Sequence, residues 1–333
     1  MKNTRGVVLF SGGLDSLLAA KVLQEQGIDL IGFHCILPFF PPDINTEELT
    51  ATRQAKQIGL KLHHYFCKAD YIGILKDPPH GYGSHMNPCI DCKIFFIKKA
   101  AEFMESIGAD FVATGEVVGQ RPMSQQKNTM RHIEKESGLE GKLLRPLSAK
   151  LLSPTIPELE GKVDRAKLLS ISGRGRKQQI ELAAKYNITD YSSPAGGCLF
   201  TDKFFASRLR DLLDFKSDID QIDIYLLSIG RHYRISNKVK VIISKNELEG
   251  IELSKYRDRA DLFIEADFKG PVIFVSGEVD DHKELPIILK IMSRYGKPDE
   301  LNKKVYIKKN NSVIKEIEAF EPIEDFALSV MRI

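Results

Sequence analysis

No stretch of this 333-residue chain approaches the ~18 consecutive apolar residues that span a membrane. No membrane-crossing helix is therefore expected. Neither sign of charge is in large excess: 48 basic residues face 45 acidic ones, a formal net charge of +3. That balance does not announce nucleic-acid binding, yet it leaves room for local basic patches. There is no internal repeat and no low-complexity tract. Tryptophan is absent, and nothing follows from that. The opening MKNTRGVVLFSGGLDS lacks the apolar core and small-residue cleavage site of a secretory signal, so a cytoplasmic protein is expected. The cysteines are Cys35, Cys67, Cys89, Cys92 and Cys198. An odd set in a cytosolic chain argues against a disulfide framework and for metal or thiol chemistry. The length exceeds what one compact core usually serves, so two or three domains are expected.

Along the chain, RGVVLF (5–10) reads as a buried strand, followed by the turn SGGLDS (11–16) and a helix ending near Gly27. Strands are expected at 28–37, 61–67 and 109–116, with helices at 47–59 and 93–107. Strands alternating with helices predict an α/β fold on a parallel sheet. Residues 120–142 read as a polar, mobile loop, and LLRPLSAKLL closes a first domain over 1–155. Residues 156–204 form a basic extension that is largely helical over 162–188. Its end, SSPAGGCLFTD (192–202), is turn-rich and carries Cys198. From 205 to 333 short strand-like runs and one helix near 284–296 predict a separate α+β domain.

Gly12 and Gly13 let the backbone turn sharply and approach a ligand. The following helix start offers N–H groups and a dipole to an anion, and Ser11 and Ser16 add hydroxyls. Asp15 suits a phosphate site only if Mg²⁺ bridges it to the phosphates. The pattern is neither G-x-x-x-x-G-K-[ST] nor G-x-G-x-x-G. SGGLDS resembles the PP-loop signature of ATP pyrophosphatases, which implies a HUP-like (adenine nucleotide alpha hydrolase-like) domain that binds ATP and transfers AMP to an acceptor. By the rule that ligands sit at the carboxyl ends of parallel strands, adenine is expected near Phe10, His34, Cys35, Thr114 and Gly115. Lys93, Arg145 and Arg174 are candidate cations, each also readable as a solvated surface charge.

NPCIDCK (87–93) places Cys89 and Cys92 just ahead of a helix, where a thiol pKa falls. By itself the pair could be half a zinc site, a redox pair or part of an iron–sulfur site. No second C-x-x-C exists, and the third candidate is Cys198; Cys35 and Cys67 read as inert thiols. Three thiolates on a [4Fe–4S] cluster would leave one iron open to bind sulfide. NPCIDCK, PAGGCLFTD, ATGEVVGQRPMSQ (113–125) and LLRPL (143–147) together resemble PP-loop tRNA thiolases, the third especially the tRNA 4-thiouridine synthases, over about residues 5–202. The resemblance implies an ATP-dependent tRNA sulfurtransferase. Asp15, Cys89 and Cys198 would be catalytic; Cys89, Cys92 and Cys198 would hold the cluster. A two-cysteine persulfide thiolase using Cys89 and Cys198 is the rival. Other PP-loop adenylating enzymes, of amidotransferase or tRNA-lysidine type, would not need this cysteine set.

The partners expected are tRNA and a sulfur donor, either a cysteine desulfurase or free sulfide, with a homodimer allowed. Arg174, Arg176 and Lys177 cluster at a helix start and could hold phosphates. GRHYRISNK (230–238) combines Arg231 and Arg234 with Tyr233, a mixture suited to single-stranded or loop RNA. Residues 205–310 resemble the RNA-associated domain of some ribosome quality-control factors. The C-terminal domain would then take the RNA-binding role.

Overall fold

The computed structural model describes residues 4–192, 198–297, 304–318 and 321–333. PAGG (194–197), part of the turn expected around Cys198, lies outside them. The chain divides into two units, Met1–Thr201 and Asp202–Ile333.

In the first unit, β1 (Arg5–Leu9) is covered on both faces, as its unbroken apolar run requires. Val8 packs beneath α1 (Leu14–Gln24), and Val7 points to the opposite core against Ile94 and Ile97. The chain continues through β2 (Asp29–Ile36), α2 (Thr50–Gln57), β3 (Lys61–Phe66) and α3 (Ala69–Lys76). It then forms α4 (Cys89–Ser106), β4 (Phe111–Thr114), α5 (Lys127–Glu136), β5 (Leu143–Leu144), α6 (Ile156–Leu159) and α7 (Lys177–Lys185). The five strands form a parallel sheet in the order β3-β2-β1-β4-β5. The chain leaves β1 and β4 on opposite sides of the point where strand order reverses. That is where open α/β sheets form their ligand crevice.

Three expectations need correction. The segment 120–142 is not a loop throughout: α5 occupies its middle, and Met130 and Ile133 are buried beneath it. Two apolar anchors three residues apart, among polar neighbours, made a weak periodic signal. Up to Thr201 the 156–204 extension is part of the first unit, since Val163, Leu168, Ile171, Ala183 and Ile188 join the core under α1. Nor is 162–188 largely helical. Between a 3₁₀ turn at Arg165–Lys167 and α7, the chain runs extended, with Leu169 and Ile171 donating to Pro146 and Leu147 carbonyls at 2.9 and 2.8 Å. Backbone pairing with a neighbouring segment outcompetes helix propensity there.

The second unit contains α8 (Lys203–Phe215), α9 (Gln221–Leu226), β6 (Arg231–Arg234), β7 (Lys240–Ile243) and α10 (Glu247–Ser254). It continues with β8 (Leu262–Ala266), β9 (Ile273–Ser276), α11 (Glu284–Tyr295), β10 (Lys304–Lys309), β11 (Ser312–Glu318) and α12 (Asp325–Met331). Its strands form an antiparallel sheet ordered β11-β10-β8-β9-β7-β6. α11 buries Leu285, Ile288, Leu289 and Met292 against it.

The packing of α5 is directly testable. Ile133 is fully buried, so Ile133→Ala should lower the unfolding free energy by about 2–5 kcal/mol in urea titration. A mobile loop at this position would give almost no change.

Candidate functional site

The turn after β1 has the geometry its glycines permit. Gly12 adopts φ +76°, a conformation L side chains rarely take, and a Cβ there would come within 2.9 Å of the Ala51 backbone. α1 begins at Leu14, earlier than expected, so Asp15 and Ser16 lie in its first turn. The Ser16 hydroxyl donates to the Gly13 carbonyl at 2.8 Å, and the Ser11 hydroxyl stands 3.5 Å from it. Gln120 Nε2 donates to Asp15 Oδ2 at 2.8 Å. Asp15 Oδ1 and Gln120 Oε1 are both buried acceptors without a hydrogen-bond partner among the described residues.

The segment leaving β4 presses on this turn. A Cβ on Gly115 would sit 2.5 Å from the Asp15 carbonyl carbon and 2.6 Å from the Ser16 nitrogen. Only a glycine allows the approach. The next residue, Glu116, is buried and accepts from Thr114 Oγ1 at 3.0 Å and Arg145 Nε at 3.3 Å, with Lys93 Nζ 3.6 Å away. Burial would raise its pKa, but the charges of Lys93 and Arg145 outweigh burial and hold it below the usual value. Arg145 also binds Glu134 at 2.7 Å and is itself buried, so it is no solvated surface charge. A cavity of about 430 Å³ lies beside it, bounded by α5 and Ser153–Thr155, and none of its lining belongs to the glycine turn.

Of the residues expected around adenine, Thr114 and Gly115 adjoin the turn, while Phe10 is 2% exposed and packs into the core under α1. Phe10 is thus a core residue and no open ligand wall. His34 Nδ1 faces His64 Nδ1 at 3.1 Å, and Thr52 Oγ1 lies 3.3 Å from His64 Nε2. Burial, with the neighbouring His64, lowers the His34 pKa to about 4. His63 points to the other face of β3 and stacks on Phe103 at 4.2 Å.

The cysteine pair lies in the first turn of α4 instead of ahead of it. Asn87 Nδ2 donates to Cys89 Sγ at 3.1 Å, and the Tyr71 hydroxyl meets Cys92 Sγ at 2.9 Å. Burial pushes the Cys92 thiol well up, so the helix start does not make it a ready thiolate. Asp91, between the two cysteines, is buried and faces His80 Nδ1 at 2.7 Å; His80 Nε2 reaches His132 Nε2 on α5 at 2.8 Å. Cys67 is buried, and its hydrogen bond with Cys35 drives its thiol far up, which keeps it inert.

The stretch before Cys198 is stitched to the glycine turn. Ser192 bridges Gly13 in parallel fashion, and the buried Gln54 amide donates to the Gly12 carbonyl and accepts from Ser192 N at 3.3 Å. From α2, Arg53 pairs with Asp190 at 2.6 Å, and Gln57 Nε2 donates to the Asp190 carbonyl at 2.6 Å. Beyond Cys198, the Phe200 carbonyl accepts from Met86 N at 3.3 Å, three residues before Cys89. Cys198 reaches solvent, yet the packed protein beneath raises its thiol to about 11; Cys89 adds to the rise and Arg121 opposes it. The three thiols are within electrostatic reach of one another. They are not gathered into a ready triad: among the described residues, no three histidine, cysteine or acidic side chains are arranged to hold a metal ion.

The expected RNA contacts fare unequally. Arg174 and Lys177 are exposed, and Arg176 is half-buried. In the second unit, Arg234 is committed to Asp211 at 2.7–2.8 Å and to the Phe215 ring at 4.1 Å. Arg231 lies over the Tyr295 ring at 4.6 Å. His232 and Tyr233 are buried, so this stretch offers no free ring for base stacking.

Residues 4–137 match the family model of the tRNA methyl transferase HUP domain. The first unit has a HUP-like fold. Residues 230–328 match the NFACT protein RNA binding domain. The chain is similar to the tRNA-specific 2-thiouridylase of Clostridium acetobutylicum, 33% identical over 132 residues, 34% of this chain and 36% of that protein. The 2-thiouridylase of Stutzerimonas stutzeri is 23% identical over 296 residues, 84% of this chain and 73% of the relative. Among solved structures, the U34-tRNA thiolase NcsA from Methanococcus maripaludis with its [4Fe–4S] cluster is similar at 18% identity and TM-score 0.30, covering 64% of this chain and 65% of that one. The chain spans about a third of the length of the first curated relatives it matches.

Sequence reasoning missed Gln54, Tyr71, Asn87 and Arg121 as shapers of the site. Gln120 and Arg121 lay inside ATGEVVGQRPMSQ and Asn87 inside NPCIDCK, motifs that could have flagged them, whereas Gln54 and Tyr71 lay in none. The close approach of Gly115 predicts that Gly115→Ala displaces the glycine turn. The variant should lose about 1–3 kcal/mol of stability and most of any ATP-induced rise in melting temperature, read by scanning calorimetry. His34 supplies a pH test. Its folded pKa, about 4, lies below the ordinary 6.5, so the unfolded chain binds a proton that the folded chain refuses. Stability is then lost as pH falls through 6.5 towards 4, by on the order of 2 kcal/mol. His34→Gln should flatten that slope in urea midpoints.

Proposed function

We propose that the chain is a cytoplasmic, ATP-dependent tRNA sulfurtransferase that adenylates a base carbonyl oxygen and replaces it with sulfur. The observation that carries this reading is the fastening of the described residues on either side of Cys198: Ser192 bridges Gly13 of the glycine turn, and the Phe200 carbonyl accepts from Met86 N, three residues before Cys89. Gln120 and Arg121 reinforce it, the first on Asp15 and the second within electrostatic reach of Cys198.

ATP phosphates would lie on Ser11–Ser16, held by the serine hydroxyls and the N–H groups of the α1 start. The orphaned Asp15 Oδ1 and Gln120 Oε1 fit a Mg²⁺ ion, whose role there is to neutralise phosphate charge. The base carbonyl oxygen attacks the α-phosphorus, and pyrophosphate leaves. A sulfur nucleophile then attacks the ring carbon, and AMP leaves with the original oxygen.

The three thiols suit a [4Fe–4S] cluster in kind, since Cys89 and Cys198 oppose ionisation of Cys92, and Cys89 that of Cys198, a cost that a cationic centre would offset. Those residues would hold the cluster, which when bound would supply a soft sulfur nucleophile without consuming a protein thiol. A second reading is favoured by one observation: Cys92 is turned to Tyr71 and held as a thiol. Cys198 would then carry a persulfide whose outer sulfur attacks the activated carbon. Cys89 attacks the Cys198 sulfur, releasing the thiolated base and leaving a disulfide for a two-electron dithiol reductant. The second unit, with its match to an RNA-binding domain, would bind tRNA, helped by Arg174, Arg176, Lys177 and Arg231.

A deletion strain should lose one thiolated nucleoside from its tRNA by mass spectrometry, restored by the wild-type chain and not by Cys198→Ser. An unchanged nucleoside profile would refute tRNA thiolation. Cys92→Ser separates the two sulfur chemistries. If a cluster operates, anaerobically purified protein absorbs near ~400 nm and the variant loses both colour and activity. If persulfide chemistry operates, the protein is colourless and the variant keeps most of its activity.

A further inference from the structure

The geometry points to Gln120 as the residue that sets the working orientation of Asp15, and as a second oxygen donor to the phosphate-bridging cation. The inference rests on the adenylation reading and adds a residue to that site.

Asp15 could present either carboxylate oxygen to the phosphates. Gln120 Nε2 donates to Oδ2 at 2.8 Å, which removes that oxygen from competition and leaves Oδ1 as the free acceptor. The amide orientation is forced, because the reverse would set Gln120 Oε1 against Oδ2, acceptor on acceptor. Its own oxygen is thereby left buried and unpartnered, as is Asp15 Oδ1. A buried acceptor without a donor is costly, and here two belong to hydrogen-bonded side chains, one of them a carboxylate. A hydrogen-bond donor could satisfy either oxygen alone. A hard divalent cation takes such oxygens as ligands and neutralises the carboxylate as well.

Gln120 is delivered by a rigid loop. Gly115 locks the strand exit against Asp15 and Ser16. Val118 N donates to Ser148 Oγ at 3.0 Å, the Val118 carbonyl accepts from Gly173 N at 2.8 Å, and Gly119 N donates to the Gln125 carbonyl at 2.7 Å. The amide is therefore held by its backbone from both sides before any ligand arrives. Such pre-set partners of metal ligands typically change metal affinity 10–100-fold when removed.

The test uses the full chain, Mn²⁺ as an EPR-visible stand-in for Mg²⁺, and α,β-methylene-ATP, which the adenylation step cannot cleave. Gln120→Leu should weaken Mn²⁺ binding in the presence of the analogue about tenfold or more. Gln120→Glu keeps the side-chain size but places a carboxylate against Asp15. It should bind Mn²⁺ more tightly than wild type without nucleotide and show a larger Mn²⁺-dependent rise in melting temperature. This second variant keeps the test open if the first does not fold. If wild type binds Mn²⁺ with the analogue while both variants match it, the role of Gln120 is overturned and the adenylation reading stands. If wild type binds no Mn²⁺ even with the analogue, the adenylation reading fails and takes this inference with it.

Discussion

A side chain at position 115 would have its Cβ 2.5 Å from the main chain of Asp15, so the strand exit of β4 and the first turn of α1 touch backbone to backbone. β1 and β4 are hydrogen-bonded neighbours in register, Leu9 opposite Thr114, and the contact is the closure of their crevice. A ligand-binding turn of the kind proposed works only if its N–H groups and its carboxylate keep fixed directions. The Gly115 contact supplies that fixity at a point where any Cβ would have to push the two segments apart.

The buried charges beneath this contact aim the chain more than they stabilise it. Glu116 follows Gly115 and is held by Lys93, Thr114 and Arg145, and Arg145 ties Glu134 of α5 into the same group. Desolvation offsets much of what such pairs gain. The loop past Glu116 brings Gln120 to Asp15 and Arg121 to the field of Cys198. Removing one partner would leave a buried charge unmatched, so the group acts as a single unit.

What the sequence disclosed, and what it hid, follows from range. Four of the five strands of the first sheet were readable, β1, β2 and β4 as short apolar runs, while β5, only two residues long, was not; the six residues at 11–16 combine two glycines, two hydroxyls and a carboxylate in a way that few other sites require. α5 was hidden because its burial depends on Met130 and Ile133 alone, too few for periodicity to register. The extended course of 168–173 was hidden because its partners, Pro146, Leu147 and Val118, lie more than twenty residues away. In the second unit, GRHYRIS looked like an RNA surface because basic and aromatic letters alternate there. The fold instead spends Arg234 on Asp211 and buries His232 and Tyr233 in β6. Composition could suggest the chemistry of that stretch, but only pairing across the sheet decides which way each side chain points.

The cysteines carry the same lesson into the chemistry. Their spacing identified Cys89, Cys92 and Cys198 as a set, and the fold brings them within one another's electrostatic reach. It does not treat them alike. Cys89 accepts from Asn87, Cys92 is turned to Tyr71, and Cys198 stands at the solvent edge. A centre held by all three must draw Cys92 away from the Tyr71 hydroxyl, and the charge that repays this has to come from the metal, since burial opposes an isolated thiolate there. Chemistry confined to Cys89 and Cys198 makes no such demand. The Tyr71–Cys92 contact is thus the structural point at which the two sulfur mechanisms part.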